Sequence, residues 1–244
     1  MEWRDEGLIL GVRRHGETSV ILEAMTAAHG RHLGLVRGGR SRRMQPFLQA
    51  GNNADLIWRA RLDEHLGTFS VEPAKLRAAQ LIESAEALHA IGLVASLLRL
   101  IAERDPHPRL FEIAMLVADH ISDPRLLPAL LVRFEIEILA ETGFGLDLKS
   151  CAATGVASDL VYVSPKSGRA VSKAAGEAYR NRLLALPAFL LGESSPDSPP
   201  AEIRDGFALT GFFLTRDLYA PRGLPLPQPR AAYLAELAKR PDWL

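Results

Sequence analysis

Cysteine is almost missing from this chain. Cys151 is the only one among 244 residues, which excludes an internal disulfide framework and a zinc site built from the thiolates of one chain. It also fits a reducing compartment. Long apolar runs are missing too. The longest charge-free helical stretch, residues 88–98, lies between Glu86 and Arg99 and falls well short of the ~20 residues that a bilayer-spanning helix needs. The opening residues, MEWRDEG, carry acids where a secretory leader requires a basic end and then an apolar run. The expectation is a soluble, cytoplasmic protein.

Net charge is absent as well. The 29 Lys and Arg balance the 29 Asp and Glu, so the chain is no polycation that coats nucleic acid indiscriminately. Catalytic signatures do not appear. There is no Gly-rich loop ending in GK[ST], no GxSxG elbow and no helical HExxH, and GLVRGG at residues 34–39 lacks the strand-turn-helix context of a dinucleotide site. Nothing specifies an enzyme, and no internal repeat is found.

What is present begins with an apolar fraction of 48%, enough for a sizeable core. Residues 1–77 read as five short strands, 7–12, 19–25, 32–37, 54–62 and 67–72, each β-branched or aromatic and bounded by turn residues. Five strands in so short a span predict a small barrel. After Pro73 the apolar spacing becomes helical: one long helix over 78–104, then helices over 109–121 and over 126–143, the last stopped by Gly143. Residues 145–171 read as turns around one strand, LVYV. Helix resumes over 173–186, and ESSPDSPPAEI at 193–203 reads as a surface loop or helix lead-in. Residues 204–219 are helical again, and a proline-rich tail with a short last helix closes the chain.

Charge is uneven between these parts. Residues 1–77 hold twelve Lys and Arg against nine Asp and Glu. Five arginines, Arg31, Arg37, Arg40, Arg42 and Arg43, fall within thirteen residues with no acid among them. Their guanidinium groups can hold phosphate bidentately or stack on bases, and Gly38 and Gly39 let backbone approach a ligand closely. The plain alternative is a solvated loop. Arg59 and Arg61 alternate with Trp58 and Ala60, which puts both guanidiniums on one strand face. The aromatics Trp3, Phe47, Trp58 and Phe69 are read mostly as barrel core. His29 and His32 read as exposed turn residues rather than ligands, and Glu137 and Glu141 beside Arg133 as a solvated helix face. No metal or catalytic residue is assigned.

The order of parts, with the stretches GLILGVRRHGETSVILEAMTAAHGRHLGLVRGGRSRR, LDEHLGTFSVEP, ETGFGLDLKSCAATG and LVYVSPKSGRAVS, resembles the RecO family of bacterial recombination mediators, over nearly the whole chain. The resemblance implies an α+β protein: an N-terminal five-stranded OB-fold barrel over 1–77 that binds DNA, then an α-helical domain over 78–244. Within the latter, residues 145–172 would form an insertion that holds four-cysteine zinc in some relatives. Here Cys151 matches the first ligand, but Thr154, Ser172 and Ala175 stand at the other three positions, so the expectation is a zinc-free loop held by packing.

The resemblance further implies binding of single- and double-stranded DNA, strand annealing, and association with RecR and with the acidic C-terminal tail of single-stranded DNA-binding protein. RecF and RecA are further candidate partners, and neither cofactor nor membrane is involved. Such proteins act at the nucleoid. The tail would need an apolar pocket rimmed by cations, for which Arg99, Arg104, Arg133, Arg216 and Arg222 are candidates. Two further readings stay open: a protein-interaction adaptor with weak DNA contact, and a hydrolase that uses the loop to hold a phosphorylated substrate.

Overall fold

The computed structural model describes residues 1–192 and 198–243, and the chain divides into two compact units, Met1–Ser122 and Asp123–Leu244. In the first unit, alternation of buried and half-exposed residues drives strand formation. Along β3, Gly30–Val36, the buried positions are Gly30, His32, Gly34 and Val36, the period of a pleated strand with one face on a core. The other strands are β1 (Glu2–His15), β2 (Ser19–Thr26), β4 (Asn53–Arg59) and β5 (Thr68–Lys75).

β1 is long enough to pair antiparallel with β4 through its first half and with β2 through its second, with a register shift between Ile9 and Gly11. β3 meets β5 in parallel through Leu35 and Thr68. The ring β1-β2-β3-β5-β4 thus closes, and the OB-type barrel expected from the sequence is present. Closure removes the exposed sheet edges that would otherwise invite pairing with other chains. Ile9, Val20, Leu22, Leu56, Trp58 and Phe69 fill it, each large side chain contributing roughly 1.5–3 kcal/mol of burial.

The single long helix predicted over 78–104 is instead two helices, α1 (Ala78–Glu83) and α2 (Ala85–Leu98). Between them Ser84 takes an extended conformation, and its Oγ accepts the Ala87 amide at 3.2 Å. A serine hydroxyl that caps a new helix competes with continuation of the old one, and here it wins. α3 (Pro108–Asp119) follows. Arg77, 1% exposed, joins it to the barrel: its guanidinium donates to the Gly51 carbonyl at 2.8 Å and to Asn53 Oδ1 at 2.6 Å, and pairs with Asp119 of α3.

The second unit is built on α4 (Leu127–Glu141). A small sheet of order β7-β6-β8 follows, with β6 (Leu160–Val163), β7 (Ala170–Ser172), the one-turn α5 (Lys173–Gly176) and β8 (Leu184–Ala185). The expected strand LVYV is there, but it has two partners that the sequence reading left out. The predicted helix over 173–186 is reduced to α5 and a 3-10 stretch, because Leu184 and Ala185 pair with Val163 and Tyr162. Strand pairing here overrides helix propensity.

Residues 193–197 of the predicted loop lie outside the described residues; beyond them α6 (Pro200–Phe213) starts on a proline, runs into a wide helical turn over Leu214–Tyr219, and is followed by α7 (Gln228–Leu237). α4, α6 and α7 enclose a buried ionic cluster. Glu135, 0% exposed, accepts from Arg230 Nε at 2.7 Å and from the Thr210 hydroxyl. The solvated face expected around Glu137 is corrected in the same place. Glu137 is buried and Arg133 donates to the Phe189 carbonyl, because α4 is apolar on most sides and is therefore packed on most sides.

Candidate nucleic-acid interface

The chain between β3 and β4 forms a run of tight turns rather than an open loop. Amides of Met44 and Gln45 donate to Ser41, and those of Phe47 and Leu48 to Met44, at 3.0–3.1 Å. Met44 and the buried Leu48 pack on the barrel core. The two glycines have separate tasks. Gly38 turns the chain with φ 68°, a conformation that costs other residues. Gly39 is buried, and a Cβ there would come within 2.6 Å of Val20. The close approach that Gly39 permits is thus to the barrel's own core, not to a ligand.

With the apolar residues turned inward, the cations turn outward. Arg37, Arg42 and Arg43 are exposed and Arg40 is half-buried. Arg40 ties this segment to the β1–β2 hairpin tip: its amide donates to the Thr18 carbonyl and its Nη1 to the Gly16 carbonyl, each at 3.0 Å. That link brings in two arginines that the sequence reading missed, Arg13 and Arg14, both exposed at the end of β1. Their signal was available, since RR directly precedes the turn residues HGETS, but the predicted strand ended at Val12. Arg13, Arg14, Arg37, Arg42 and Arg43 make no side-chain hydrogen bond or ion pair among the described residues.

The remaining candidates are occupied or lie elsewhere. Arg31 sits on β3 with its side chain 12% exposed, its Nη1 2.9 Å from Glu23 and its Nε donating to the Ile101 carbonyl. Arg59 pairs bidentately with Glu2 at 2.8 and 2.9 Å and holds the Glu2 carboxyl below its ordinary pKa. β4 ends at Arg59, so Arg61 lies exposed in the following loop and the two do not share a strand face.

The five arginines considered for a peptide pocket are engaged within their own units. Arg99 pairs with Glu23 at 2.7 Å, Arg104 donates to the carbonyls of Asp63 and His65, and Arg133 donates to that of Phe189. Arg216 pairs with Asp217 and donates to Pro165, and Arg222 donates to Leu218.

His29 lies in the β2–β3 turn as expected, whereas His32 departs from expectation. His32 is no turn residue but is 2% exposed, its ring meeting Trp58 edge-on at 4.9 Å and Trp3 at 5.1 Å. Neither ring nitrogen has a hydrogen-bond partner. Burial, helped by the nearby Arg104 guanidinium, lowers its pKa to about 4, because the imidazolium cannot be hydrated there. His29 stacks on Trp3 at 4.1 Å and reaches Asp5 at 3.3 Å. Sequence proximity to glycines hid the inward face of β3.

In the insertion, Cys151 is buried and accepts the Ser172 amide at 3.3 Å. Hydrogen bonds from the Ser172 and Thr154 side chains lower its thiol to about 6, against the effect of burial. One thiol, two hydroxyls and the methyl of Ala175 do not make a donor set for tetrahedral zinc. Among the described residues, no three His, Cys, Asp or Glu side chains converge. No described helix is long and apolar enough to cross a membrane.

Two family models match the chain: Recombination protein O N terminal over residues 1–77 and Recombination protein O C terminal over residues 83–224. The chain belongs to the RecO family. Its relatives include DNA repair protein RecO of Methylocella silvestris, 68% identical over 99% of this chain and 98% of the relative. Those of Mesorhizobium japonicum (58%, covering 98% and 94%) and Methylobacterium nodulans (57%, covering 96% and 97%) carry the same name. Both basic segments lie within the region matched by the RecO N-terminal model.

Proposed function

We propose that this RecO-family chain is a non-enzymatic DNA-binding recombination mediator. It binds single- and double-stranded DNA, anneals complementary strands and helps load RecA onto DNA coated by single-stranded DNA-binding protein. The observation that carries this reading is the hydrogen-bonded link through Arg40 that ties the basic turns bearing Arg37, Arg42 and Arg43 to the β1–β2 hairpin tip, next to the exposed Arg13 and Arg14. Annealing brings two polyanions together. Guanidiniums on this scaffold lower their repulsion by displacing counterions, while contacts to phosphate leave base edges free to pair.

Binding on this reading is nearly blind to sequence. Arg61, exposed in the loop after β4, adds a further phosphate contact on this reading, whereas Arg31 and Arg59 contribute only if their ion pairs open. Residues 1–77 act on DNA, and residues 78–244 face partners, among them RecR and the tail of single-stranded DNA-binding protein. RecF and RecA are engaged through the same pathway, in the cytoplasm at the nucleoid.

The test is strand annealing by the variant Arg40→Ala/Arg42→Ala/Arg43→Ala, with RecR binding measured in parallel. The mediator loses annealing and keeps RecR. If annealing survives these substitutions, the barrel is a protein-docking adaptor instead.

A further inference from the structure

The second unit is neutral, with fourteen Lys and Arg against fourteen Asp and Glu. Its charge is nevertheless segregated: residues 145–185 hold six Lys and Arg against only Asp147, Asp159 and Glu177. Two of the six are paired locally, Arg169 with Asp147 at 3.2 Å and Arg180 with Glu177 at 3.3 Å. The other four, Lys149, Lys166, Lys173 and Arg182, are exposed, with no side-chain hydrogen bond or ion pair among the described residues.

The fold gathers the segments that carry them. A hollow of about 260 Å³ is walled in part by Ala153, Ser167, Ala175, Tyr179 and Leu183. Lys166 adjoins Ser167, Lys173 opens the helical turn that bears Ala175, Arg182 adjoins Leu183, and Lys149 lies just before the first wall. Tyr179 is 61% exposed, so most of its ring is free of the fold and open to a stacking partner.

We propose that this face of the small sheet is a second single-stranded nucleic-acid surface. Cations on four separate segments match a charged backbone that passes over them, and an exposed phenol beside a small alanine and serine wall suits a stacked base. An acidic peptide with an apolar end would need a more enclosed pocket than this open hollow, whose wall also includes Val171 and Leu183. The inference rests on the mediator reading and adds to it the place of the second strand.

The experiment uses the full chain with two oligo(dT) probes, one labelled with a fluorescence donor and one with an acceptor. The probes cannot pair with each other, so energy transfer reports two strands held by the protein, while anisotropy of one probe reports binding at all. The wild type gives transfer. The variant Lys149→Ala/Lys166→Ala/Lys173→Ala/Arg182→Ala keeps anisotropy and loses transfer, and Tyr179→Ala loses part of it, with unchanged thermal unfolding in both.

Transfer that persists in the fourfold variant overturns the second surface and leaves the mediator reading intact. Wild type that binds neither probe overturns both. Loss of an acidic peptide by the variant, with transfer preserved, assigns the face to a protein partner and also overturns the proposal.

Discussion

The barrel region and the small sheet of the second unit carry the same excess charge by different means. Residues 1–77 hold twelve Lys and Arg against nine acids, and residues 145–185 hold six against three, a net +3 in each. The barrel uses arginine almost throughout, on turns fixed by backbone hydrogen bonds and by the inward Met44 and Leu48. The small sheet relies on Lys149, Lys166 and Lys173 with the single Arg182, each on a different segment. Guanidinium forks on a tied scaffold can grip phosphate with defined geometry, whereas ammonium groups act as hydrated point charges. If both regions bind strands as proposed, the difference predicts one strand held firmly at the barrel and a second held loosely at the sheet.

The largest expected contrast lies between one ion pair of each unit, Arg230 with Glu135 in the second and Arg77 with Asp119 in the first. Arg230→Ala strands the wholly buried Glu135 and is expected to cost about 3–5 kcal/mol. Arg77→Ala leaves Asp119, 38% exposed and still paired with Lys75, so roughly 1–3 kcal/mol is expected. Chemical denaturation of both variants checks the order, and the reverse order would contradict the description of the two clusters.

Acid sharpens the contrast, because only the barrel buries an unpartnered histidine among the described residues. Free His32 would titrate at about 6.5 but in the fold does so at about 4, so the unfolded chain binds more protons between these values. Stability therefore falls as pH drops from about 6.5 to 4, by up to about 3 kcal/mol. His32→Phe should flatten that dependence in a pH series of thermal melts. A slope that remains after the substitution would place the cause elsewhere.

Smaller effects concern binding. Arg13→Ala/Arg14→Ala is expected to lower the salt slope of oligonucleotide affinity by about 1.4 with little change in stability. Glu2→Gln, which releases the exposed Arg59, should steepen that slope by at most about 0.7. The second change is the smallest and separates an available guanidinium from an occupied one.

The barrel was legible because its strands alternate or cluster β-branched residues between clear turn signals, and SVILEAM matches β2 to within one residue. The break at Ser84 was not, since a serine inside an apolar helical pattern gives no sign of which amide its hydroxyl will take. β7 and β8, of three and two residues, are too short to show a period at all. Of the site, the cluster from Arg37 to Arg43 could be read directly from the sequence. Arg13 and Arg14 could not be joined to it without the Arg40 contact to Gly16. The ion pairs that occupy Arg31 and Arg59 run to Glu23 and Glu2, 8 and 57 residues away, so spacing in the sequence left both looking free.

The most direct test of the account is the salt dependence of oligonucleotide binding by fluorescence anisotropy, in wild type, Arg13→Ala/Arg14→Ala, Arg40→Ala/Arg42→Ala/Arg43→Ala, and the five combined. If the hairpin tip and the turns form one surface, the slopes fall by about 1.4, about 2 and about 3.5, with annealing lost in the combined variant. A wild-type slope that persists in the combined variant would contradict the account and move the polyanion contact off the barrel.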